Sequence, residues 1–363
     1  MLTFLIFILI LSTVIVVHEF GHFMMARRMG VRVEKFSLGF GPALLKKKKD
    51  ETEYCLSAIP LGGYVKLAGD NLEEYQGKKD EYLAQAPGRR FHVIFFGPLL
   101  NYILGLLLFW VIFVVGYPSL TTRVGGLLDD FGAKDAGLQV GDKIEAVDGK
   151  AVVLWEELQK IIQSKKTAEK VRLTVLRDDD KFELEVRIRE KSMDDSLGQK
   201  RSVGLLGITP ADEIITVKHG ILESLGLGIS KTWELTVMTY KALGFMITGR
   251  ISMRESITGL PGMYFITSRA AQMGVVAILH LVAVLSLSLA IFNLLPLPVL
   301  DGGHILFLGV EKIRGKGLSL NVDRLVTQVG TMLILTLAVF VTYNDLVRFY
   351  GDKIDKVWEW FVR

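Results

Sequence analysis

The apolar residues of this chain are concentrated in four long runs instead of being spread evenly. The runs cover residues 2–17, 91–115, 275–300 and 326–343. Each is close to the roughly 20 residues that an α-helix needs to cross about 30 Å of hydrocarbon, so the pattern predicts four transmembrane helices. The first run has neither a basic segment before it nor a small-residue cleavage site after it, which argues against a cleaved signal peptide.

Charged residues are separated from the apolar runs. Of the 363 residues 50% are hydrophobic and the mean hydropathy is +0.37, yet 23% are charged. Lysine and arginine are concentrated between the first and second runs and between the third and fourth, so both connections are predicted to face the cytoplasm. Both termini and the long connection between the second and third runs are then extracytoplasmic. The net charge of +4 reflects this topology, and no segment resembles a nucleic-acid-binding module.

The first connection carries two further features. Residues 46–49 are all lysine, and we interpret them as an anchor beside the anionic headgroups of the lipid bilayer. Cys55 is the single cysteine, so no intramolecular disulfide can form, and its predicted cytoplasmic position suits a reducing compartment.

The first apolar run ends in the pentapeptide His18-Glu19-Phe20-Gly21-His22. Because residues four apart share a face of an α-helix, both imidazoles can bind one metal ion with Glu19 beside them. Zinc hydrolases use this arrangement, with the glutamate as general base and not as a ligand. The pattern also occurs by chance on amphipathic helices, but ionisable side chains that end an apolar helix are costly and are usually functional. We therefore expect a metal site here.

Between residues 33 and 69, short stretches of β-branched and aromatic residues are interrupted by glycine and proline. This composition predicts strands and tight turns. We expect a small β-structure that dips toward the metal from the cytoplasmic side, with an unpaired edge available to an extended substrate. Gly62 and Gly63 are the candidate substrate-binding residues of this region. An ordinary cytoplasmic hairpin is the alternative.

Past Pro118 the sequence has the character of a soluble domain. The segment Ala-Gly-Leu-x-x-Gly-Asp-x-Ile at residues 136–144 precedes a helical stretch at 155–163 and two alternating strands at 171–176 and 182–188. This order resembles a PDZ domain in the strand order of bacterial proteases, a module that binds an extended peptide by adding a strand to its sheet. A PDZ fold that acts only as a steric cap is an equally good interpretation.

The segment from residue 217 to residue 274 is amphipathic. Lys231, Glu234 and Lys241 interrupt its apolar stretch, so we expect a helix that lies on the outer leaflet instead of a fifth span. In the second apolar run, Asn101 is the only strongly polar residue, and it could either bond a neighbouring helix or line the site.

The third run ends in a motif of asparagine, proline and aspartate: Asn293-x-x-Pro296-x-Pro298-x-x-Asp301-Gly302. If the third run enters the membrane from the outside, its C-terminal end lies at the cytoplasmic side. The first run places His22 at the same depth in the membrane. Asp301 can therefore complete a set of two histidines and one carboxylate that leaves a fourth position for water. The prolines would break the helix, and Asn293 offers an amide to the freed backbone or to a substrate strand. His304 is a rival ligand, although a supporting or helix-capping role fits it better.

Together these motifs resemble the site-2 protease family of intramembrane zinc metalloproteases, in its bacterial RseP-type class with a single PDZ domain. The resemblance spans nearly the whole chain and also includes Gly97-Pro98-x-x-Asn101 and the segment at residues 60–66. It implies the following roles: His18, His22 and Asp301 as Zn²⁺ ligands, Glu19 as catalytic base, and Asn293, Pro296 and Pro298 with Gly62 and Gly63 in substrate binding. Members with two tandem PDZ domains exist, and only one is evident here.

The resemblance implies cleavage of single-pass proteins within their transmembrane segments, in the bacterial cytoplasmic (inner) membrane. Anti-sigma factors already shortened by another protease and remnant signal peptides are the substrates that it suggests. The residues alone leave a second class open, a membrane scaffold or transporter that binds metal without hydrolysis. Glu19 beside the ligands favours the enzyme.

The predicted fold is a multi-pass α-helical membrane protein with four transmembrane helices, a membrane-associated β-region and an inserted PDZ domain. The predicted divisions are transmembrane helix 1 at 1–32, the β-region at 33–90, helix 2 at 91–116, the PDZ domain at 117–192, its amphipathic C-terminal region at 193–274, helix 3 at 275–304, a cytoplasmic loop at 305–325, helix 4 at 326–345 and an extracytoplasmic tail at 346–363.

Overall fold

The computed structural model describes residues 1–165, 169–194, 200–317 and 319–362. Its helices are α1 (Leu2–Arg28), α2 (Pro87–Val115), α3 (Gly132–Asp135), α4 (Trp155–Gln163), α5 (Ile221–Ile247), α6 (Met253–Ser256), α7 (Leu260–Met273), α8 (Val275–Asn293), α9 (Asp301–Arg314) and α10 (Leu320–Val362). Its strands are β1 (Val33–Lys49), β2 (Thr52–Leu67), β3 (Tyr117–Leu120), β4 (Val124–Leu127), β5 (Lys143–Val147), β6 (Lys150–Ala151), β7 (Lys170–Arg177), β8 (Asp180–Arg187), β9 (Arg189–Asp194), β10 (Lys200–Leu205), β11 (Ile208–Pro210) and β12 (Ile214–Val217).

The chain forms two compact units. The first comprises Met1–Ile112, Leu222–Leu243 and Ser252–Arg363, and the second comprises Phe113–Ile221 and Gly244–Ile251. Residues 195–199 of the predicted PDZ C-terminal region and residue 318 of the predicted cytoplasmic loop lie outside the described residues.

Four helices of the first unit are long and apolar enough to cross a membrane. They are α1, α2, α8 and the stretch Arg324–Phe349 of α10, so the predicted four transmembrane helices are confirmed. The second begins four residues earlier than its apolar run, at Pro87, because proline is well tolerated in the first turn, where its missing N–H leaves no bond unmade.

The β-region of the first unit is a sheet in which each strand bends back on itself. β1 and β2 pair antiparallel, with residues 43–49 opposite 52–57 and residues 33–38 opposite 63–67. Residues 35–38 also pair with residues 53–56. The residue numbers increase in the same direction along both stretches, so these two stretches are parallel. The sheet therefore has four segments, and residues 63–67 form one of its edges. Gly39 and Gly41 permit the bend in β1 because their φ angles are +90° and +82°.

The second unit contains the predicted PDZ domain. Its main sheet has the strand order β6-β5-β7-β8, and β11 pairs with β4. A single core fills it, which includes the fully buried residues Val124, Ile144, Val171, Leu173, Val175, Val186 and Ile188. Leu158 and Ile162, four apart on α4, cover the same core. The fold class predicted for this insert is thus confirmed by the order and pairing of its elements.

α5, the helix predicted to lie on the outer leaflet, packs along α2. A Cβ built on Gly228 would lie 3.1 Å from Trp110 N, and Tyr102 Oη lies 3.1 Å from Thr236 Oγ1. The two contacts are eight residues apart on both helices, so this part of α5 runs lengthwise and antiparallel to α2. A stripe of small residues four apart, Ser224, Gly228, Thr232 and Thr236, is buried on α5 and allows close helix packing. Within the described residues α5 is not among the helices apolar enough to span a membrane, and its position at the outer leaflet stays a prediction.

The predicted loop at 305–325 is also largely helical. α8 ends at Asn293, as the following prolines predict, and the chain turns into α9 at Asp301. α9 is too short to span a membrane, so a search for long apolar runs does not detect it. α10 is joined to α7 by Asp345, whose Oδ2 accepts the Gly259 N–H (2.7 Å) and the Gly262 N–H (2.9 Å). A carboxylate at a helix N-terminus is stabilising because that end carries unpaired N–H groups.

A candidate metal centre between three membrane helices

Three side chains from distant parts of the first unit meet at one point. His18 and His22 share a face of α1, and Asp301 reaches them from the first residue of α9. Asp301 Oδ2 lies 3.2 Å from His18 Nε2 and 3.6 Å from His22 Nε2. The two Nε2 atoms are 3.1 Å apart. Within the described residues, this is the group of ligand-type side chains that could hold a metal ion.

The site exists because α1 and α2 approach each other at glycines. A Cβ built on Gly21 would lie 2.3 Å from the Phe96 carbonyl oxygen, and one built on Gly97 would lie 2.3 Å from His22 Nε2 and 3.0 Å from His18 Cε1. Real Cβ atoms do not approach other atoms so closely, so both positions require glycine. The space that a side chain at position 97 would fill is the space in front of the two imidazoles.

A turn with an unusual backbone presents Asp301. Val299 has a φ of +75°, a conformation that is costly for a β-branched residue and that occurs mainly at functional sites. Gly302 and Gly303 pack directly on the preceding turn, because a Cβ on either would lie within 2.3 Å of a carbonyl oxygen of Leu295 or Leu297. The turn after α8 is therefore compact, which restricts the direction of the chain at Asp301.

A buried ion pair ties the far end of α9 to the start of α2. Arg90 is 7% exposed, and its Nη2 bonds Glu311 Oε1 while its Nε donates to the Gln85 carbonyl (3.0 Å). Tyr82 lies in the same region, where burial raises the pKa of its hydroxyl although Arg90 lowers it. Its phenol therefore stays neutral at physiological pH.

The three side chains fit a divalent metal such as zinc. Two ligands of one tetrahedral Zn²⁺, each about 2.0–2.1 Å from the ion, are roughly 3.3 Å apart, close to the 3.1, 3.2 and 3.6 Å found here. His22 Nδ1 lies 2.9 Å from the Val93 carbonyl oxygen, so Nδ1 carries the proton and Nε2 offers its lone pair. Asp301 Oδ2 is buried without a hydrogen-bond donor among the described residues, which a cation would correct.

Glu19 lies beside these ligands and against the edge of the β-sheet. Its Oε2 accepts the Val65 N–H (3.1 Å), and a Cβ on Gly63 would lie 3.8 Å from Glu19 Cγ. The edge segment 63–67 therefore passes the site with its unpaired side toward Glu19. Farther along α1, Ser12 Oγ donates to the Pro60 carbonyl (2.9 Å), which fixes the tip of the sheet beside the helix.

The remaining predicted residues divide into two groups. Asn293 is at the site, with Nδ2 3.2 Å from His18 Nε2, and Pro296 and Pro298 lie in the turn that follows it. His304 is exposed and is not part of the ligand group, and His280 packs edge-on against Phe109. Gly62 has a φ of +149° and faces the Phe40 ring instead of the metal-binding side chains.

Sequence reasoning missed the two backbone groups that hold the site. The Val93 carbonyl orients His22, and the Val65 amide orients Glu19. Neither position has a residue type that would have revealed it, because every residue except proline carries the same two main-chain groups.

Comparisons with known proteins agree with this geometry. Residues 6–337 match the model of Peptidase family M50. The regulator of sigma-E protease RseP of Escherichia coli is 29% identical, with 94% of this chain and 98% of the relative aligned. The zinc metalloprotease RasP of Oceanobacillus iheyensis is 26% identical, with 96% of this chain and 100% of the relative aligned.

Among solved structures, the PDZ domain of the SdrC-like protein of Listeria monocytogenes is 27% identical. It covers 26% of this chain and 90% of its own length, with a TM-score of 0.21. The family match covers far more than half of the chain and decides between the enzyme and the metal scaffold or transporter that the residues alone left open. The chain belongs to peptidase family M50, the site-2 protease family, and is a metalloprotease.

Proposed function

We propose that this metalloprotease cleaves peptide bonds within the transmembrane segments of single-pass membrane proteins. The observation that carries the proposal is the meeting of His18 and His22, on the membrane-length helix α1, with Asp301, which follows the turn after the membrane-length helix α8, and with Glu19 alongside. The cofactor is Zn²⁺, which suits this donor set and is the metal in the names of similar proteases.

The chemistry follows from the positions of the side chains. His18, His22 and Asp301 would hold Zn²⁺, which would lower the pKa of water toward about 7 and polarise the scissile carbonyl. Glu19 accepts a proton from the attacking water as the new C–O bond forms. It then delivers that proton to the departing nitrogen as the C–N bond breaks, so the protons balance. The Val65 N–H holds the Glu19 carboxylate in place for both transfers.

Substrate must reach this site in an extended form. In an α-helix each N–H is bonded to the carbonyl four residues earlier, and side chains enclose the backbone. The Val65 and Leu67 N–H groups of the edge segment 63–67 bond the Glu19 and Asp70 carboxylates. The segment has no second strand beside it within the described residues, so an unwound substrate can form a further strand at this edge. Asn293, close to His18, is placed to bond the same substrate strand. Gly63 contributes by its lack of a side chain at this edge.

Glu19→Gln tests the catalytic assignment. The substitution removes the base but none of the three proposed ligands, so purified protein should keep stoichiometric zinc and lose activity on a model transmembrane substrate by about 10²- to 10⁴-fold, the range of general-base catalysis. Near-normal cleavage by the zinc-loaded variant would contradict the role of Glu19. In cells, the variant should accumulate membrane stubs that the wild type removes.

The substrate class is proposed from the relatives. Proteins named as regulators of sigma-E protease are similar over nearly the whole chain, which supports pre-cleaved anti-sigma factors as substrates. Remnant signal peptides are a second class, because they also are single apolar segments without a bulky outer domain. The PDZ domain could either bind a peptide terminus or act as a steric filter.

We place the active site near the cytoplasmic face of the inner membrane, with both termini extracytoplasmic. The lysine and arginine distribution supports this topology. Cys55 is a poor reporter of it, because the thiol is buried and burial raises its pKa. In a Cys55→Ser background, an impermeant thiol reagent applied to intact cells should label Asp179→Cys and not Lys47→Cys. Equal labelling would overturn the topology.

A further inference from the structure

The two proposed histidine ligands differ in the support of their second ring nitrogen. His22 Nδ1 has the Val93 carbonyl at 2.9 Å. His18 is only 7% exposed, yet its Nδ1 has no partner among the described residues. A neutral imidazole that offers Nε2 to a metal carries its proton on Nδ1. Metal-bound histidines almost always donate that proton to an acceptor, which fixes the ring and strengthens the ligand.

Asn101 supplies an unused acceptor in the same part of the molecule. Its side chain is completely buried, and neither Oδ1 nor Nδ2 has a partner in the described residues. Its main-chain oxygen accepts from Ser286 Oγ at 2.9 Å. A buried amide without hydrogen bonds is costly, so an unpaired amide at this depth needs an explanation beyond packing.

The helical geometry directs Asn101 toward His18. Asn101 follows Gly97 by four residues, so both lie on one face of α2, about 5–6 Å apart. That face touches the imidazoles, since a Cβ on Gly97 would lie 3.0 Å from His18 Cε1. Side chains of a helix lean toward its N-terminus, and therefore the Asn101 amide extends over the space that Gly97 leaves free.

We propose that Asn101 positions His18 through one buried water molecule. The water accepts the His18 Nδ1–H and donates to Asn101 Oδ1, which satisfies both unpaired groups. A single bridge fits because the helical geometry directs the two side chains toward each other, while neither His18 Nδ1 nor Asn101 Oδ1 has a hydrogen-bond partner within the described residues. The inference rests on the proposed role of His18 as a metal ligand. It assigns Asn101 a positioning role in metal binding, distinct from helix packing.

Zinc affinity measured by chelator competition on the purified full-length protein tests this role. Asn101→Leu removes the acceptor at similar volume and should weaken zinc binding by about 10- to 100-fold, the usual effect of losing such a partner. Asn101→Asp keeps an acceptor oxygen and should stay close to wild type. Ser286→Ala is the matched control, because it deletes a buried hydrogen bond to the same residue without touching the Asn101 side chain.

The outcomes separate the positioning role from a packing role. If Asn101→Leu and Ser286→Ala lower the melting temperature of the metal-free protein while zinc affinity stays unchanged, Asn101 is a packing residue and the proposal is overturned. Equal losses of zinc affinity in both variants would overturn it as well. If Asn101→Leu does not fold, the comparison of Asn101→Asp with Asn101→Ser, whose hydroxyl is too short to reach the water, decides the same question.

Asp301→Asn distinguishes this failure from failure of the metal site itself. It should lose zinc more severely than Asn101→Leu, because it alters a ligand directly. Retention of zinc by Asp301→Asn would overturn both the ligand assignment and the role of Asn101. If Asp301→Asn loses zinc while Asn101→Leu keeps full zinc affinity, only the proposed role of Asn101 is overturned.

Discussion

Two aspartates, one in each unit, show how differently this chain uses a buried carboxylate. Asp142 in the PDZ domain is 1% exposed, and Arg177 donates to both of its oxygens, from Nε at 2.7 Å and from Nη2 at 2.8 Å. The Gln139 N–H adds a third bond at 2.8 Å. Asp301 is also largely buried, but its Oδ2 faces two imidazoles and no hydrogen-bond donor within the described residues.

The difference separates a carboxylate that the protein itself satisfies from one that is proposed to bind a metal ion. Asp142 has its compensating charge within the domain. Asp301 has no such partner among the described residues, and in the proposed site a cation would supply the missing charge. The surroundings of the two carboxylates also differ. The PDZ domain is filled by one cluster of apolar side chains, whereas the candidate metal centre is bounded by glycines, which allow the backbone to approach closely.

The largest effect is expected from adding a side chain at Gly97, one of the glycines that bound the candidate metal centre. Gly97→Ala places a methyl group 2.3 Å from His22 Nε2, so the protein should purify with almost no zinc and no activity. Gly105→Ala is the matched control on the same helix, because its methyl group would meet the Ala283 carbonyl oxygen at 3.1 Å, a tight contact that requires a shift of a few tenths of an ångström, and would not approach the imidazoles. That variant should keep its zinc. A zinc-loaded Gly97→Ala protein would show that the boundary is not required.

The next effect concerns the structural carboxylate. Asp142→Ala leaves Arg177 and the Gln139 N–H without their partner and should destabilise the PDZ domain by about 3 kcal/mol, the lower end for a broken buried pair because Arg177 is 27% exposed. Zinc content should not change. Asp148→Ala breaks a more exposed pair with Lys165 and should cost about 1 kcal/mol or less. Hydrogen exchange of strands β7 and β8 in the full chain measures both, and equal protection in the two variants would contradict the assignment.

The smallest effect is the loss of stability at low pH that the Asp142–Arg177 pair contributes to the PDZ domain. Burial alone would raise the pKa of Asp142, but Arg177 and the Gln139 N–H hold it below its ordinary value. The stabilisation is therefore fully present above the unfolded-state pKa of about 3.9 and is lost as the pH falls through the lower folded-state value. PDZ protection in the wild type should decline below about pH 4, and this step should be reduced in Asp142→Asn. An unchanged step would assign the acid response to other carboxylates.

Much of the metal centre could be predicted from the sequence because its chemistry lies in side chains with fixed spacing. The interval of four between His18 and His22 places them on one helical face, and the alternation of four apolar runs predicts that Asp301 lies on the same side of the membrane. The roles of these residues remain predictions. α9 was missed because an amphipathic helix of 14 residues gives a weaker signal than an apolar span.

Other features could not be predicted because they depend on tertiary contacts. The doubling back of β1 and β2 brings residues 33–38 between two partners, a pairing that alternation of apolar residues does not specify. The lengthwise packing of α5 on α2 uses buried small residues, whereas the interfacial helix was predicted from the charged residues Lys231, Glu234 and Lys241. In both cases the contacts depend on packing that local composition does not specify.

The separation of His22 from Asp301 along the chain has a consequence for biosynthesis. About 280 residues lie between them, and a bacterial ribosome adds roughly 5–20 residues per second. Asp301 is therefore made roughly 15 to 55 s after His22, and α2 and the PDZ domain are made within that interval. Until Asp301 is made, the proposed ligand set is incomplete, so the order of the chain would delay activity until synthesis is nearly finished.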